Sequence, residues 1–317
     1  MSELLMIEQR RGSDDAAHWI REGGRTIPGR DSNRRLEELG AGLTRHAGVR
    51  AVAADAGDEA LERTLGAMHE RAYLEALRAV DGEPVVMADF APPGLEPDIP
   101  VDAGLVAAAH EGVRTAITAA QRLAAGARFT YAVCRPPGHH AGPGFLGGYC
   151  YLNNAAAAVR TLREAGMSPV GVLDLDLHYP NGTAALVERI DEAVLHSLHA
   201  SPVTNVAPGT ALPQAAGERV VAFGEAPDRG AYLEEVATSI EQLAATAAAL
   251  VVSLGYDTVA GDPHGCWSFE PEVFAEVGRL LARSGRPICV VQEGGYSLPV
   301  LAECSHAFAV GLLGEES

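Results

Sequence analysis

The sequence predicts an α/β chain: one domain over residues 1–317, built on an open, mostly parallel sheet of about eight strands with helices on both faces. Three observations predict it. From Thr130 onward, short apolar runs alternate with longer helical patterns, the signature of repeated strand, helix, strand units. The run at 170–177 is nearly continuous in apolar residues, as in a strand buried on both faces of a parallel sheet. With 317 residues and 47% hydrophobic content the chain can bury a large core, and no linker, internal repeat or low-complexity tract divides it.

In chain order, residues 4–8 (LLMIE) and 49–53 (VRAVA) read as short strands, with a helical stretch around 33–42 between them. Residues 59–80 read as one helical segment. The stretch 89–100, DFAPPGLEPDIP, is too proline-rich for a regular element and reads as an acidic surface loop near something functional. Asp102 stands where it caps the next helix, an alanine-rich segment running to about Ala125 and stopped by Gly126. Strands then follow at 130–134, 170–176, 193–198, 249–254 and 288–292. The helical patterns between them cover 154–165, 183–190, 230–248 and 271–284, with Pro271 in a first turn and Gly166 and Gly285 at helix ends.

The balance of 42 acidic against 24 basic residues, a net charge of −18, argues against nucleic acid and against anionic membrane surfaces as partners. A cationic substrate or product suits it better, although acidic surfaces also serve solubility alone. Five cysteines, at 134, 150, 266, 289 and 304, are odd in number and scattered, as reduced cytosolic thiols are. The N-terminal stretch lacks the apolar core of a signal peptide, and no later run approaches roughly eighteen apolar residues. A soluble cytoplasmic protein is expected.

Chemistry gathers in VGVLDLDLHYPNGT, residues 170–183. Strand side chains alternate faces, so Asp174, Asp176 and His178 share one side of a core strand. Buried unpaired carboxylates are costly, and a bound cation would answer all three residues at once. The plain alternative is an edge strand with its polar face in water. Other strands end in reactive residues too: RPPGHH with His139 and His140, SLGY before Asp257, and EGGY ending in Tyr296. Parallel strands bring such ends to one rim. Each motif alone is weak, since paired histidines are often a surface feature and an Asp after a strand is often a helix cap.

Asp176, His178 and Asp257 fit the three-ligand open site of a catalytic zinc or iron. Paired histidines could take a proton from a metal-activated water and return it to a leaving amine, and Tyr296, behind two glycines, could swing its hydroxyl onto a developing oxyanion. Together these parts describe metal-assisted amide hydrolysis. No GxSxG, GxxxxGK[ST] or strand-borne GxGxxG is present, which disfavours serine hydrolase and nucleotide readings. Cys150 as a nucleophile beside His139 or His140 is a weaker alternative, because free cysteine is more often a small buried hydrophobe.

With MHERAYL, RPPGHHAG, GGYCYLNNAA, DLDLH and NGT, SLH, PGT, SLGYDTVAGDP and EGGY in this order, the chain resembles the zinc-dependent histone deacetylase family, of arginase/deacetylase fold. Its form looks nearest to the bacterial acetylpolyamine amidohydrolases. The resemblance implies zinc ligands Asp176, His178 and Asp257, with His139 held by Asp174 and His140 by Asn181, so that the first imidazole is biased toward its charged form. It implies that Tyr296 polarises the acyl carbonyl. A structural potassium ion is implied at Asp174, Asp176, His178, Ser197 and Leu198, and a substrate tunnel walled by Gly148 and Tyr149. Ala207 stands where an aromatic normally forms the second wall, and His264 where an apolar residue is common. Tyr179 and Pro180 replace a histidine and a glycine, which bears on where Asn181, and with it His140, sits. The insertion through which the acetylpolyamine enzymes form homodimers is cut here to the loop around 89–100, leaving the dimer open.

The resemblance implies an amidohydrolase acting on a small acylated amine. A protein lysine deacylase is the second reading, and a metal-binding relic silenced at Tyr179 and Pro180 the third.

Overall fold

Leu4 and Met6 face one core and Leu5 and Ile7 another, and this two-sided burial makes β1 (Leu4–Glu8) an interior strand. The computed structural model describes residues 3–10, 19–22, 25–201 and 217–315. After β1 come a small antiparallel pair, β2 (Trp19–Glu22) and β3 (Arg25–Pro28), then α1 (Asn33–Leu43), β4 (Val49–Ala53), α2 (Asp58–Met68) and α3 (Arg71–Arg78). A second minimal pair, β5 (Val85–Val86) and β6 (Pro100–Val101), brackets the proline-rich loop. The alternating region runs through α4 (Ala103–Ala124), β7 (Phe129–Val133), α5 (Asn154–Glu164), β8 (Val170–Asp174), α6 (Asn181–Val187) and β9 (Ala193–Ala200). It continues with β10 (Arg219–Phe223), α7 (Arg229–Thr246), β11 (Ala249–Leu254), α8 (Glu272–Arg283), β12 (Ile288–Gln292) and α9 (Leu298–Leu313).

Eight strands form one sheet in the order β10-β9-β8-β11-β12-β7-β1-β4, and every pairing in it is parallel. Leucines and aromatics of α1, α7, α8 and α9 cover one face, among them Leu39, Tyr232, Phe274 and Phe308. Small residues of α4 and α5, such as Ala116, Ala119, Ala155 and Ala158, cover the other. The chain therefore forms the expected α/β sandwich, and β7, β8, β11 and β12 occupy its four central places with their C-terminal ends on one rim. Among the described residues no helix is long and apolar enough to cross a membrane.

Two local expectations need correction. The segment 59–80 is two helices, because His69 turns extended (φ −104°, ψ 146°) to bond the Gly142 carbonyl at 2.8 Å while the Glu70 N–H bonds the Pro143 carbonyl at 2.6 Å. The strand expected at 170–176 ends at Asp174, although Leu173, Leu175 and Leu177 still point into one core and the chain still bonds its neighbours, the Leu175 N–H to the Ser253 carbonyl at 2.8 Å and the Leu177 carbonyl to the Ala200 N–H at 2.8 Å. Elements β2, β3, β5, β6, β10 and α9 have no counterpart in the sequence reading. Asp102 does cap α4, accepting the Leu105 N–H at 2.8 Å.

Candidate active site

Asp174 ends β8 inside the sheet, and the bend that follows carries Asp176 and His178 onto the rim. Asp257 arrives from the turn after β11. His178 Nδ1 lies 3.1 Å from Asp176 Oδ1 and 3.1 Å from Asp257 Oδ2, and one ligand atom from each residue lies within 4.8 Å of the others. Asp176 and Asp257 are buried and His178 half-buried, which leaves the cluster one open side. Backbone donors fix the carboxylates: Gly294 N–H on Asp176 Oδ2 at 2.8 Å, His178 N–H on Asp176 Oδ1 at 2.9 Å, and Leu177 N–H on Asp257 Oδ1 at 3.1 Å.

This cradle is built for a cation. Burial, and then Asp176, push the Asp257 carboxyl up to about 7, while Asp176 itself is driven down by His139 and His178 against its own burial. Burial lowers the His178 imidazole, but Asp176 and Asp257 overcome it and raise it well above its ordinary value. A dication held by these three donors would replace the ring's proton as the positive partner of the two carboxylates. Two glycines make room. A Cβ on Gly255 would stand 2.3 Å from Asp176 Oδ2, and one on Gly294 2.5 Å from Asp257 Oδ2.

The histidine pair sits on the loop after β7. His139 and His140 stack with ring centroids 4.1 Å apart, and His140 meets His178 edge-on at 5.9 Å. His139 Nδ1 lies 3.4 Å from Asp174 Oδ2, and its Nε2 lies 3.5 Å from Asp176 Oδ1. Burial works against its charge, but Asp176 and Asp174 prevail and raise it to about 10. His140 Nδ1 meets Asn181 Oδ1 at 2.7 Å, and burial followed by the neighbouring His139 holds this ring well below its ordinary value. Pro180 directly precedes the Asn181 that makes this bond. It occupies an inverse γ-turn (φ −80°, ψ 63°), closed by the Asn181 N–H on the Tyr179 carbonyl at 2.9 Å, a geometry proline favours.

Tyr296 comes from the turn after β12 and is buried. The fully buried Arg35 lies 4.6 Å from its ring centroid and donates to the carbonyls of Gly295 at 2.6 Å and Glu293 at 2.5 Å. Asp262 accepts the backbone N–H groups of Tyr296 at 2.6 Å and Ser297 at 3.0 Å. The glycines of EGGY therefore serve close approach rather than a swinging side chain: Gly295 takes φ 108°, and a Cβ there would stand 2.7 Å from Tyr256 Cβ. Burial pushes the Tyr296 phenol well above its ordinary value, with Arg35 opposing.

Gly148 lies against His140, and Tyr149 lies against Tyr296 and His264. Gly148 takes φ 54°, and a Cβ there would strike His140 Cδ2 at 2.4 Å. The Tyr149 ring lies 5.3 Å from that of Tyr296, and its hydroxyl meets His264 Nε2 at 3.1 Å. The proline-rich loop reaches this segment, since Asp98 Oδ2 accepts the Gly148 N–H at 2.9 Å. Asp174 and Ser197 are register partners across β8 and β9, with Leu198 next in the strand. Cys150 is buried next in the chain, and burial pushes its thiol well above its ordinary value, so the thiolate nucleophile is not supported. Ala207 and PGT lie outside the described residues.

Sequence reasoning assigned no part to Arg35, Asp31, Asp262 or Glu293. Glu293 and Asp262 stood inside quoted motifs, whereas Arg35 carries no local signal. It pairs with Asp31, which also accepts Arg135 Nε at 2.9 Å and so links the Tyr296 turn to the histidine loop.

The histone deacetylase domain matches residues 30–312. Acetylpolyamine amidohydrolase 1 of Pseudomonas aeruginosa is 34% identical over 214 residues, which is 64% of this chain and 61% of that protein, so the match spans about three fifths of the relative's length. The acetylpolyamine amidohydrolase of Burkholderia pseudomallei is 32% identical over 277 residues, 84% of this chain and 77% of the relative. A crystal structure of acetylpolyamine aminohydrolase from Burkholderia pseudomallei superposes with a TM-score of 0.84 at 26% identity, covering 99% of both chains. With the sheet, the rim and the match over nearly the whole chain in agreement, this protein belongs to the histone deacetylase family.

Proposed function

We propose that the chain is a metal-dependent amidohydrolase that removes an acetyl or other acyl group from the amine of a small molecule such as an acetylpolyamine. The observation that carries this reading is the stacked pair of His139, beside Asp174, and His140, bonded to Asn181, set against the three-donor cluster of Asp176, His178 and Asp257. That donor set fits zinc, or iron(II) as the alternative. When bound, the ion supplies Lewis acidity toward a water and the acyl carbonyl. His140 donates its Nδ1–H to Asn181 Oδ1, which makes Nε2 the unprotonated nitrogen of the ring and the one that takes the water's proton. His139, held as imidazolium between Asp174 and Asp176, offsets developing negative charge and holds a proton for the departing amine. The Tyr296 phenol stays protonated and donates a hydrogen bond to the forming oxyanion, steadied by Arg35 beneath its ring and Asp262 at its backbone.

Gly148, Tyr149 and His264 line the approach, where the bond from Tyr149 to His264 makes one wall polar. A structural potassium ion belongs at Asp174, Asp176, His178, Ser197 and Leu198. The net charge of −18 suits a cationic amine, and the names of the two bacterial relatives point to the same substrate class. The test is a parallel assay of zinc-reconstituted protein on an N-acetylated diamine and an acetyl-lysine peptide, with Asp257→Ala as control. Faster turnover of the diamine, lost with chelator and in the variant, is expected. Preference for the peptide would move the reading to a protein lysine deacylase, and hydrolysis that survives both metal removal and Asp257→Ala would end it.

A further inference from the structure

Glu293 has no part in the chemistry above, yet it is fully buried at the end of β12, where a carboxyl group loses its hydration and needs compensating partners. Those partners belong to the histidine loop. Oε2 accepts the backbone N–H of Gly138 at 2.7 Å and that of His139 at 3.1 Å, and Oε1 meets the Ser253 hydroxyl of β11 at 3.4 Å. Successive N–H groups converging on one oxygen form an anion-binding concavity, filled here by the chain's own side chain. The loop has little room to relax around it, since a Cβ on Gly138 would stand 2.5 Å from the Asn154 nitrogen. The backbone of Glu293 is fixed as well. Its N–H bonds the Leu254 carbonyl at 2.9 Å, its carbonyl accepts Arg35 Nη2 at 2.5 Å, and the next N–H, that of Gly294, bonds Asp176 at 2.8 Å.

We propose that Glu293 is the positioning residue of the histidine pair: as a hydrogen-bond acceptor of fixed reach, its carboxylate holds the backbone of Gly138 and His139 and so sets both imidazoles against Asp176, His178 and Asp257. This rests on His139 and His140 being the proton-moving pair. Reach and charge can be separated. Glu293→Gln keeps the length and a carbonyl oxygen for the two N–H groups but removes the charge, whereas Glu293→Asp keeps the charge and withdraws the oxygens by one methylene.

The experiment measures kcat, KM, zinc content and circular dichroism for both variants, on the acetylated diamine or the acetyl-lysine peptide, whichever the wild type turns over faster. The Gln variant is expected within about threefold of wild-type kcat, and the Asp variant roughly a hundredfold down with KM and zinc content unchanged, the scale of an ångström's misplacement of a reacting group. An active Asp variant with an inactive Gln variant would overturn the proposal by showing that charge matters and reach does not. Wild-type rates in both, loss of zinc in either, or a Gln variant that does not fold would overturn it too. His140→Ala is the control for the underlying reading. If it keeps wild-type activity the histidine pair itself is misread, and if it is inactive while Glu293→Asp is unaffected, only the role of Glu293 fails.

Discussion

Gly294→Ala adds one methyl group between two of the candidate metal ligands. Built on the existing backbone, the new Cβ stands 2.5 Å from Asp257 Oδ2 and 2.6 Å from Asp176 Oδ2, whereas ordinary contacts begin near 3.4 Å. Either the carboxylates or the backbone must therefore give by almost an ångström. The backbone is poorly able to do so, since the Gly294 carbonyl accepts Tyr256 N–H at 3.0 Å and Gln292 Nε2 at 2.9 Å while its own N–H holds Asp176. The strain falls on the carboxylates, in a site where ligand distances are good only to about 0.2 Å. Removing an outer partner of a metal ligand typically costs 10–100-fold in affinity, so displacing two ligands directly should cost about a hundredfold or more, roughly 2.7 kcal/mol. Chelator competition with zinc and with iron(II) measures it. Gly66→Ala, in α2 with nothing within 4 Å of its Cβ, controls for adding a methyl group elsewhere. Metal affinity in Gly294→Ala within about threefold of wild type would refute the claim that these carboxylates share an ion beneath this glycine.

Tyr296→Phe removes only a hydroxyl from a ring already held by Arg35 and Asp262, so folding and metal content should persist while kcat falls by on the order of a hundredfold or more. An unchanged rate would show that the carbonyl is polarised by another group. Acid should weaken the fold partly through His69, which burial lowers from 6.5 to about 4 despite its bond to the Gly142 carbonyl. Between those values the unfolded chain binds a proton that the folded chain refuses, so this contribution is complete above pH 6.5 and is lost as pH falls through 4. From pH 7 to pH 5 it amounts to about 2 kcal/mol. Urea unfolding of wild type and His69→Asn, which keeps a donor for Gly142, should show that much less acid sensitivity in the variant, and identical pH slopes would remove His69 from the account.

Local pattern was sufficient for much of the molecule. Apolar runs such as VGVL, ALVVSL and ICVVQ need no partner to declare themselves buried on both sides, and parallel strands that alternate with helices leave their reactive ends on one rim. Asp176 and His178 were legible because alternation along a chain of leucines puts them on one side, and Asp257 because it follows the buried strand at 249–254. Tertiary structure decided what depends on partners distant in the chain. The helix break at His69 and Glu70 arises from carbonyls at Gly142 and Pro143, the clamp on Tyr296 from Arg35 some 260 positions earlier, and the anchor of the histidine loop from Glu293. Gly255 and Gly294 look in the sequence like turn residues, and only the convergence of two carboxylates over them makes a side chain there intolerable. Periodicity along the chain reports which side chains lose contact with water, whereas the partner that each buried charge or N–H finds there is fixed only when the topology folds distant segments onto the same rim.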